Sequence, residues 1–478
     1  MNTQNYHFYN GFRNLDTEYS NIPIDLRSTC LPQWLNGSLI KVGPAYFQIG
    51  KQPVQHWFDG LAMLYKFEIT PKEIKFSNAF IQSEQYKAHL KNKMQYDEFA
   101  TQAKVSLIRK FINLFATIRG KKLINPSCNV NVAKINNNFF AMTEVNTHIG
   151  FYKDTLKTIG LINYPDELQG HISTAHPYYD KDKKELINIL IHVGATKVEY
   201  QVYTINTSNN LYRNLVVRFN KSYLFYMHSF FVTPNYIILY NGPLQTTSKR
   251  LLLNTFNDSL VYNEDHDCEF IIINRNTHEI TTIPVEPFLF LHSINSFESE
   301  DGSINLDLIA YPQKTNPYNM YYFNKLTDNS IDIITEFRRY SIKLQSKQVS
   351  YQKISNESIE FHYINPKYKA KEYNFVFATY SDKSRPNDFL NGIIKINVDN
   401  PNSILKWHKP NLYPSEPIFV RNPDGINEDD GILITNIYDS SRHISQILIL
   451  DAKTFYELLL SDLPCHIPFT LHGWHERE

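Results

Sequence analysis

The sequence predicts an all-β fold, a propeller or a sandwich. Three observations carry that expectation. Short apolar or alternating runs recur from Gly37 to Ala452, turn residues such as Asn136-Asn-Asn138, Asn209-Asn210 and Asp301-Gly302 separate them, and helical intervals are few. A parallel α/β sheet would need helices between successive strands, which the pattern does not supply. The chain shows no clean repeat at a fixed period and no Trp-Asp pair, so the residues alone do not count blades.

Taken in order, residues 1–36 read as polar and irregular, ending at Leu31-Pro-Gln-Trp-Leu-Asn36. Strands begin at Gly37–Val42; Gly43-Pro44 turns the chain, and His56-Trp-Phe-Asp-Gly60 supplies a second turn before the alternating run Leu61–Ile69. From Val105 to Arg119 the spacing becomes helical, with Val105, Ile108, Phe111, Ile112, Phe115 and Ile118 on one side and a basic rim of Lys104, Arg109, Lys110, Arg119, Lys121 and Lys122. Such a helix lies either in a membrane interface or against the protein core. Further strands are expected at Asn129–Lys134, Phe139–Val145, Glu185–His192, Lys197–Asn206, Tyr236–Tyr240, Glu269–Arg275, Ile304–Ala310, Asn374–Thr379, Gly392–Val398, Gly431–Tyr438 and Ile444–Ala452.

Composition narrows the classes of function. The 48 basic residues balance 48 acidic ones, so no global field recruits nucleic acid. The four cysteines, Cys30, Cys128, Cys268 and Cys465, have no CxxC spacing and read as reduced thiols. No charged and then apolar leader opens the chain, and no apolar run approaches the roughly 18 residues that span a bilayer. The expectation is a cytoplasmic protein, soluble or peripheral on a membrane surface. A length of 478 residues could hold several domains, but no Pro-, Gly- or Ser-rich linker divides it, and residues 1–478 read as one domain.

Four histidines invite a metal reading: His176 in Thr174-Ala-His-Pro-Tyr-Tyr-Asp180, His228 in Tyr226-Met-His-Ser-Phe-Phe-Val-Thr233, His292 in Phe290-Leu-His-Ser-Ile-Asn295 and His472 in Leu471-His-Gly-Trp474. They are far apart and lack the short spacings that mark a metal site unaided. Taken singly, each reads as a hydrogen-bonded core or surface histidine. His171, an odd number of positions before His176, would face the other way on a strand, and His475 sits near the chain end.

Read together, these segments resemble the carotenoid cleavage oxygenase family, with a match that runs from Gly37 to His472. Asn36-Gly-Ser-Leu-Ile-Lys-Val-Gly-Pro44 and His56-Trp-Phe-Asp-Gly60 are similar to its entry motifs, and the four histidine segments fall in the order of its iron ligands. Asn129-Val-Asn-Val132 with Thr143-Glu-Val-Asn146, Ile359-Glu-Phe361 with Ile364-Asn365, and Leu412-Tyr-Pro-Ser-Glu-Pro-Ile-Phe-Val420 resemble the animal-type branch of β-carotene oxygenases and retinoid isomerohydrolase. The resemblance implies a seven-bladed β-propeller with a cap of loops and short helices over an Fe(2+) held on the axis by His176, His228, His292 and His472. It implies that Glu144, Glu360 and Glu416 hold the far nitrogens of three of these histidines, leaving His176 without a carboxylate, and that Val130 crowds one coordination position. Two departures stand out. His362 replaces the branch's proline after Glu-Phe, and no cysteine precedes the basic helix where some relatives carry a lipid-modified one.

The implied reaction adds dioxygen across one C=C bond of a carotenoid or apocarotenoid to give two carbonyl products, with β-carotene to retinal as one instance. Four neutral imidazoles leave the metal charge uncompensated in the coordination sphere, which is a physical reason for carboxylates behind them. An apolar polyene and O2 are the expected partners, with membrane contact through 105–119 in preference to Pro287–Leu291, which reads as a buried strand. A retinoid isomerohydrolase-like enzyme, a stilbene-cleaving enzyme, or a non-catalytic propeller binding an apolar ligand are the alternatives on the same fold. The sequence leaves the oligomeric state open.

Overall fold

The computed structural model describes residues 7–27, 31–104, 127–206, 211–328, 331–385 and 387–477. Seven antiparallel sheets of four or five strands follow one another along the chain, and they are the blades of a propeller. Blade 1 holds Tyr19–Ile24, Gly37–Tyr46, Leu61–Ile69 and Ile74–Phe80, and is completed by the terminal strand Gly473–Glu476, which pairs with Gly37–Tyr46. Blade 2 spans Asn131–Ile135 to Thr158–Leu161, blade 3 Ile172–Ser173 to Arg213–Lys221, and blade 4 Phe231–Val232 to Ile280–Pro284. Blade 5 runs from Leu289–Glu298 to Gln348–Ser355, blade 6 from Ser358–Tyr363 to Ile404–His408, and blade 7 from Leu412–Pro414 to Glu457–Asp462. Because both ends of the chain share blade 1, the ring closes by hydrogen bonds and not by a loop, with Lys41 opposite Gly473 in the register.

The middle strands of each blade are nearly continuous apolar runs, because both of their faces are covered by neighbouring blades. In blade 4, Ile237, Leu239, Ile271 and Ile273 pack with Ile187, Ile189 and Tyr200 of blade 3. The alternate residues Ile238, Tyr240, Phe270 and Ile272 pack with Leu306, Leu308 and Ile342 of blade 5. A strand pleat sends successive side chains to opposite faces, so two buried faces remove the polar half of the alternation. The same arrangement joins blades 5 and 6 around Ile309 and Val376, and blades 6 and 7 around Phe377 and Leu433.

The strands expected from sequence are found with shifts of a few residues at their ends, and Pro287–Leu291 runs into the strand Leu289–Glu298, as expected for a buried segment. Gly43-Pro44, expected to turn the chain, instead lies within the strand Gly37–Tyr46, where both residues stay paired with Leu61–Ile69 and only a register shift follows Pro44. The outer strands Arg213–Lys221 and Gln348–Ser355 escape the sequence reading, since most of their side chains meet solvent, and Glu457–Asp462 escapes it although Leu458–Leu460 form a short apolar run. The expectation of an irregular start is corrected: within residues 1–36 lie a 3-10 helix, His7–Phe12, and the strand Tyr19–Ile24. Phe8 and Phe12 are buried there in an aromatic cluster with Trp57, Phe389 and Phe469. His56–Gly60 is a turn of 3-10 helix, Trp57–Asp59, capped by the His56 ring.

Short helices and loops lie over one end of the ring, among them Glu84–His89, Ser248–Leu253, Phe256–Ser259 and Pro317–Tyr321. Among the described residues no helix is long and apolar enough to cross a membrane. The amphipathic helix expected over 105–119 lies outside the described residues, as does Cys30. Cys128, Cys268 and Cys465 are free thiols.

Candidate metal centre

The structure brings the four histidines together. His176 sits between the two short strands that open blade 3, His228 just before Phe231–Val232 of blade 4, His292 within Leu289–Glu298 of blade 5, and His472 directly before the closing strand of blade 1. Nε2 of His228 lies 3.0 Å from Nε2 of His176 and 3.3 Å from that of His292, which is 3.3 Å from Nε2 of His472. All four ring nitrogens fall within 4.8 Å of one another.

Three carboxylates stand behind this cluster. Nδ1 of His292 donates to Glu360 at 2.6 Å, Nδ1 of His472 donates to Glu416 at 2.8 Å, and Nδ1 of His228 donates to Glu144. Glu144, Glu360 and Glu416 come from blades 2, 6 and 7, so each of the seven blades supplies one of the seven residues. With each Nδ1 proton committed to a carboxylate, the facing Nε2 atoms present lone pairs. Lone pairs converging at 3.0 to 3.3 Å repel unless a cation sits between them, and these separations suit imidazoles about 2.1 Å from one ion. The residues present therefore fit a metal ion.

His176 differs. Its backbone N–H donates to Thr174 Oγ1 at 2.8 Å, while the three glutamates are taken by the other histidines. Burial first, and then the neighbouring imidazoles, hold His176 well below the usual histidine range. Burial also lowers His228, against the opposing pull of Glu144. Burial pushes the Glu360 carboxyl up, but its contacts with His292 and Tyr311 outweigh that and hold it below its ordinary value. These shifts favour neutral His176 and His228 and an ionised Glu360, the state a cation requires.

Tyrosines that sequence reasoning did not select complete the arrangement. Tyr226 Oη donates to Glu144 at 2.6 Å and contacts Tyr318, whose own hydroxyl lies 2.9 Å from His228 Nδ1. Tyr311 Oη donates to Glu360 at 2.5 Å. Tyr226 was accessible to inspection, because a residue two positions from a ligand on an extended segment shares its face. Tyr311 had no such signal: it stands 49 residues from its glutamate. Glu416 uses no tyrosine; its Oε2 accepts the Gly473 N–H at 3.0 Å, and the buried Lys41 donates to its backbone carbonyl at 2.8 Å.

A cavity of about 1140 Å³ opens from the cluster, lined by His228, His292, His472 and Val130, with Phe58, Phe99, Tyr318, Tyr321 and Phe361 as aromatic walls. His176 is not part of this lining. Val130 is buried, and its carbonyl accepts the backbone N–H of His472 at 3.2 Å, which ties its side chain to the edge of the cluster. At the departure noted around His362, the strand carries an irregularity between Glu360 and Tyr363, with Phe361 in the left-handed region at φ 50°. Phe361 thereby joins the cavity wall, and His362 stays off it with its ring 6.0 Å from that of His292.

A profile of the family described as retinal pigment epithelial membrane protein matches residues 12–477. The chain is 28% identical over 502 residues to the β,β-carotene 15,15′-dioxygenase of Gallus gallus, covering 93% of each chain. It is 25% identical over 509 residues to the mitochondrial carotenoid-cleaving dioxygenase of Homo sapiens, covering 92% of this chain and 86% of that one. In fold it is similar to the cobalt-substituted Synechocystis apocarotenoid oxygenase (ACO), with a TM-score of 0.86, 23% identity, and coverage of 99% and 98%.

Proposed function

This chain belongs to the retinal pigment epithelial membrane protein family of carotenoid oxygenases, and from that premise we propose that it is a non-haem Fe(II)-dependent dioxygenase cleaving one C=C bond of a carotenoid or apocarotenoid. The observation that carries this reading is the convergence of four Nε2 atoms, three of them on histidines that line an aromatic cavity. His176, His228, His292 and His472 hold the ion in this reading. Imidazole suits several metals, but a dioxygenase needs one that exchanges electrons, and zinc does not. Iron(II) supplies the activation of dioxygen, so that one oxygen atom ends on each carbon of the broken double bond and two carbonyl products leave.

The chain's own residues do the rest. Glu144, Glu360 and Glu416 fix the tautomer and orientation of three ligands and offset the cation's charge. Val130 narrows the approach beside His472, leaving dioxygen one open side. The aromatic walls exclude water and hold an apolar chain whose carbons offer no hydrogen bonds, so cavity shape sets which bond lies at the metal.

Leu252 and Leu253, exposed by 58% and 67% at the rim of the cavity, support contact with a membrane surface from which an apolar substrate would enter. Membrane contact through 105–119 and a cytoplasmic, peripheral location are part of the same proposal, as is action of the whole chain as one domain.

The test is anaerobic purification with metal analysis, followed by incubation under air with β-carotene and with an apocarotenal in detergent, and chromatography of the products. About one iron per chain and paired carbonyl fragments are expected. A protein that binds no iron, or that carries iron and yields no carbonyl fragment from either polyene, overturns the proposal.

A further inference from the structure

Away from the metal cluster the cavity changes character. Gln169, His171 and His192 line it beside Gly194, Ala195 and the helix Ser248–Leu253, whose exposed leucines show that this end reaches the surface. Ser248 Oγ donates to the Gly194 carbonyl at 2.6 Å, holding the helix against this wall. A tunnel meant for a pure hydrocarbon has no use for two imidazoles at its mouth.

Their geometry is specific. The rings of His171 and His192 lie 4.9 Å apart with an interplanar angle of 35°. His171 Nδ1 accepts the Val193 N–H at 3.1 Å, so its proton resides on Nε2. The backbone of His171 is fixed on both sides, its N–H to the Ile191 carbonyl at 2.8 Å and its carbonyl to the Asn146 N–H at 3.2 Å. Among the described residues nothing accepts from Nε2 of His171, and nothing pairs with either ring nitrogen of His192. One tautomer is locked, one donor is left over, and both rings border the cavity.

We propose that His171 and His192 form a subsite for the oxygen-bearing end of the substrate, so that this chain takes polyenes ending in a hydroxyl or carbonyl in preference to bare hydrocarbons. The inference rests on the oxygenase reading and adds the substrate class to it. Burial, and then the neighbouring His192, hold His171 below the usual histidine range, so the subsite donates as a neutral group and suits a neutral oxygen better than a carboxylate. Anchoring one end also sets how far the chain reaches, so the same double bond arrives at the metal each time.

The test measures affinity under nitrogen, where no turnover occurs, by quenching of intrinsic fluorescence. The probes are β-carotene, an apocarotenal with one terminal aldehyde, and the corresponding alcohol. The unmodified protein should bind aldehyde and alcohol about tenfold more tightly than β-carotene, the worth of one or two buried hydrogen bonds. His171→Leu/His192→Leu should bring that ratio close to one, His192→Leu alone should lower it partway, and His171→Gln, which keeps an N–H donor, should restore most of it. Equal affinities in the unmodified protein, or an unchanged ratio in the double variant, overturn the subsite. Under air the two readings separate. Cleavage of all three probes with one common KM leaves the oxygenase standing and removes the subsite, whereas iron-loaded protein that cleaves none of them removes both.

Discussion

His228, His292 and His472 each hand a ring proton to a glutamate, and all three line the substrate cavity. His176 does neither: it is half-buried, stands off the cavity and is held through its backbone by Thr174. The difference shows that carboxylate support is confined to the ligands that line the cavity. Carboxylates stand behind the ligands that flank the reacting side, where a ring that swung by a few tenths of an ångström would move the substrate-facing geometry. Three negative charges already exceed the charge of a divalent cation, and a fourth behind His176 would bury charge with nothing to balance it.

The comparison can be broken most severely by removing a braced ligand. His228→Ala should leave no measurable metal after gel filtration and no turnover. Retention of full metal occupancy would end the four-histidine assignment. Glu360→Gln keeps a hydrogen-bonding group behind His292 but loses its charge, and metal affinity should fall about 10–100-fold by competition with a chelator. Affinity equal to that of the unmodified protein would mean that the carboxylates orient nothing.

Acid sharpens the same contrast. His176 and His228 sit below the ordinary histidine value of 6.5, so the unfolded chain takes up protons before the folded one does. Their contribution to stability is fully present above pH 6.5 and is lost as pH falls below it. Thermal melts of the metal-free protein should therefore drop on acidification below that value, and bound metal should move the drop to lower pH. Melts that stay flat would show that these imidazoles are not buried neutral. The smallest effect belongs to the unbraced ligand's own support. Thr174→Val removes one hydrogen bond to the His176 N–H and should weaken metal binding about fivefold, with no change in the Glu144, Glu360 or Glu416 contacts. A loss as large as that of Glu360→Gln would erase the distinction drawn here.

Much of this was legible in the chain. Apolar runs such as Tyr236–Tyr240 and Ile444–Ala452 mark strands because the pleat and the covered faces act over a few residues, and local pattern records local physics. The quoted segments around His176, His228, His292 and His472 pointed to candidate ligands, and those around Glu144, Glu360 and Glu416 to their partners, because the family resemblance orders short motifs along the chain. The polar outer strands stayed hidden, since Gln348–Ser355 is held by its register with Glu336–Lys343 and not by any burial of its own.

What only the tertiary structure decided is everything that depends on closing the ring. Local pattern could not number the blades, because their outer strands range from four residues in blade 2 to nine in blade 3 and keep no fixed period, whereas the sheet topology resolves seven. Tyr311 meets Glu360 across 49 residues, His472 meets His292 across 180, and His171 meets His192 at a cavity mouth that no segment contains by itself. Sequence determined which chemistry each blade carries to the cluster. Distance, tautomer and the shape of the cavity follow from side chains of seven separately encoded blades, five of them on loops, being brought to a common centre, a ring closed by the pairing of Gly37–Tyr46 with Gly473–Glu476.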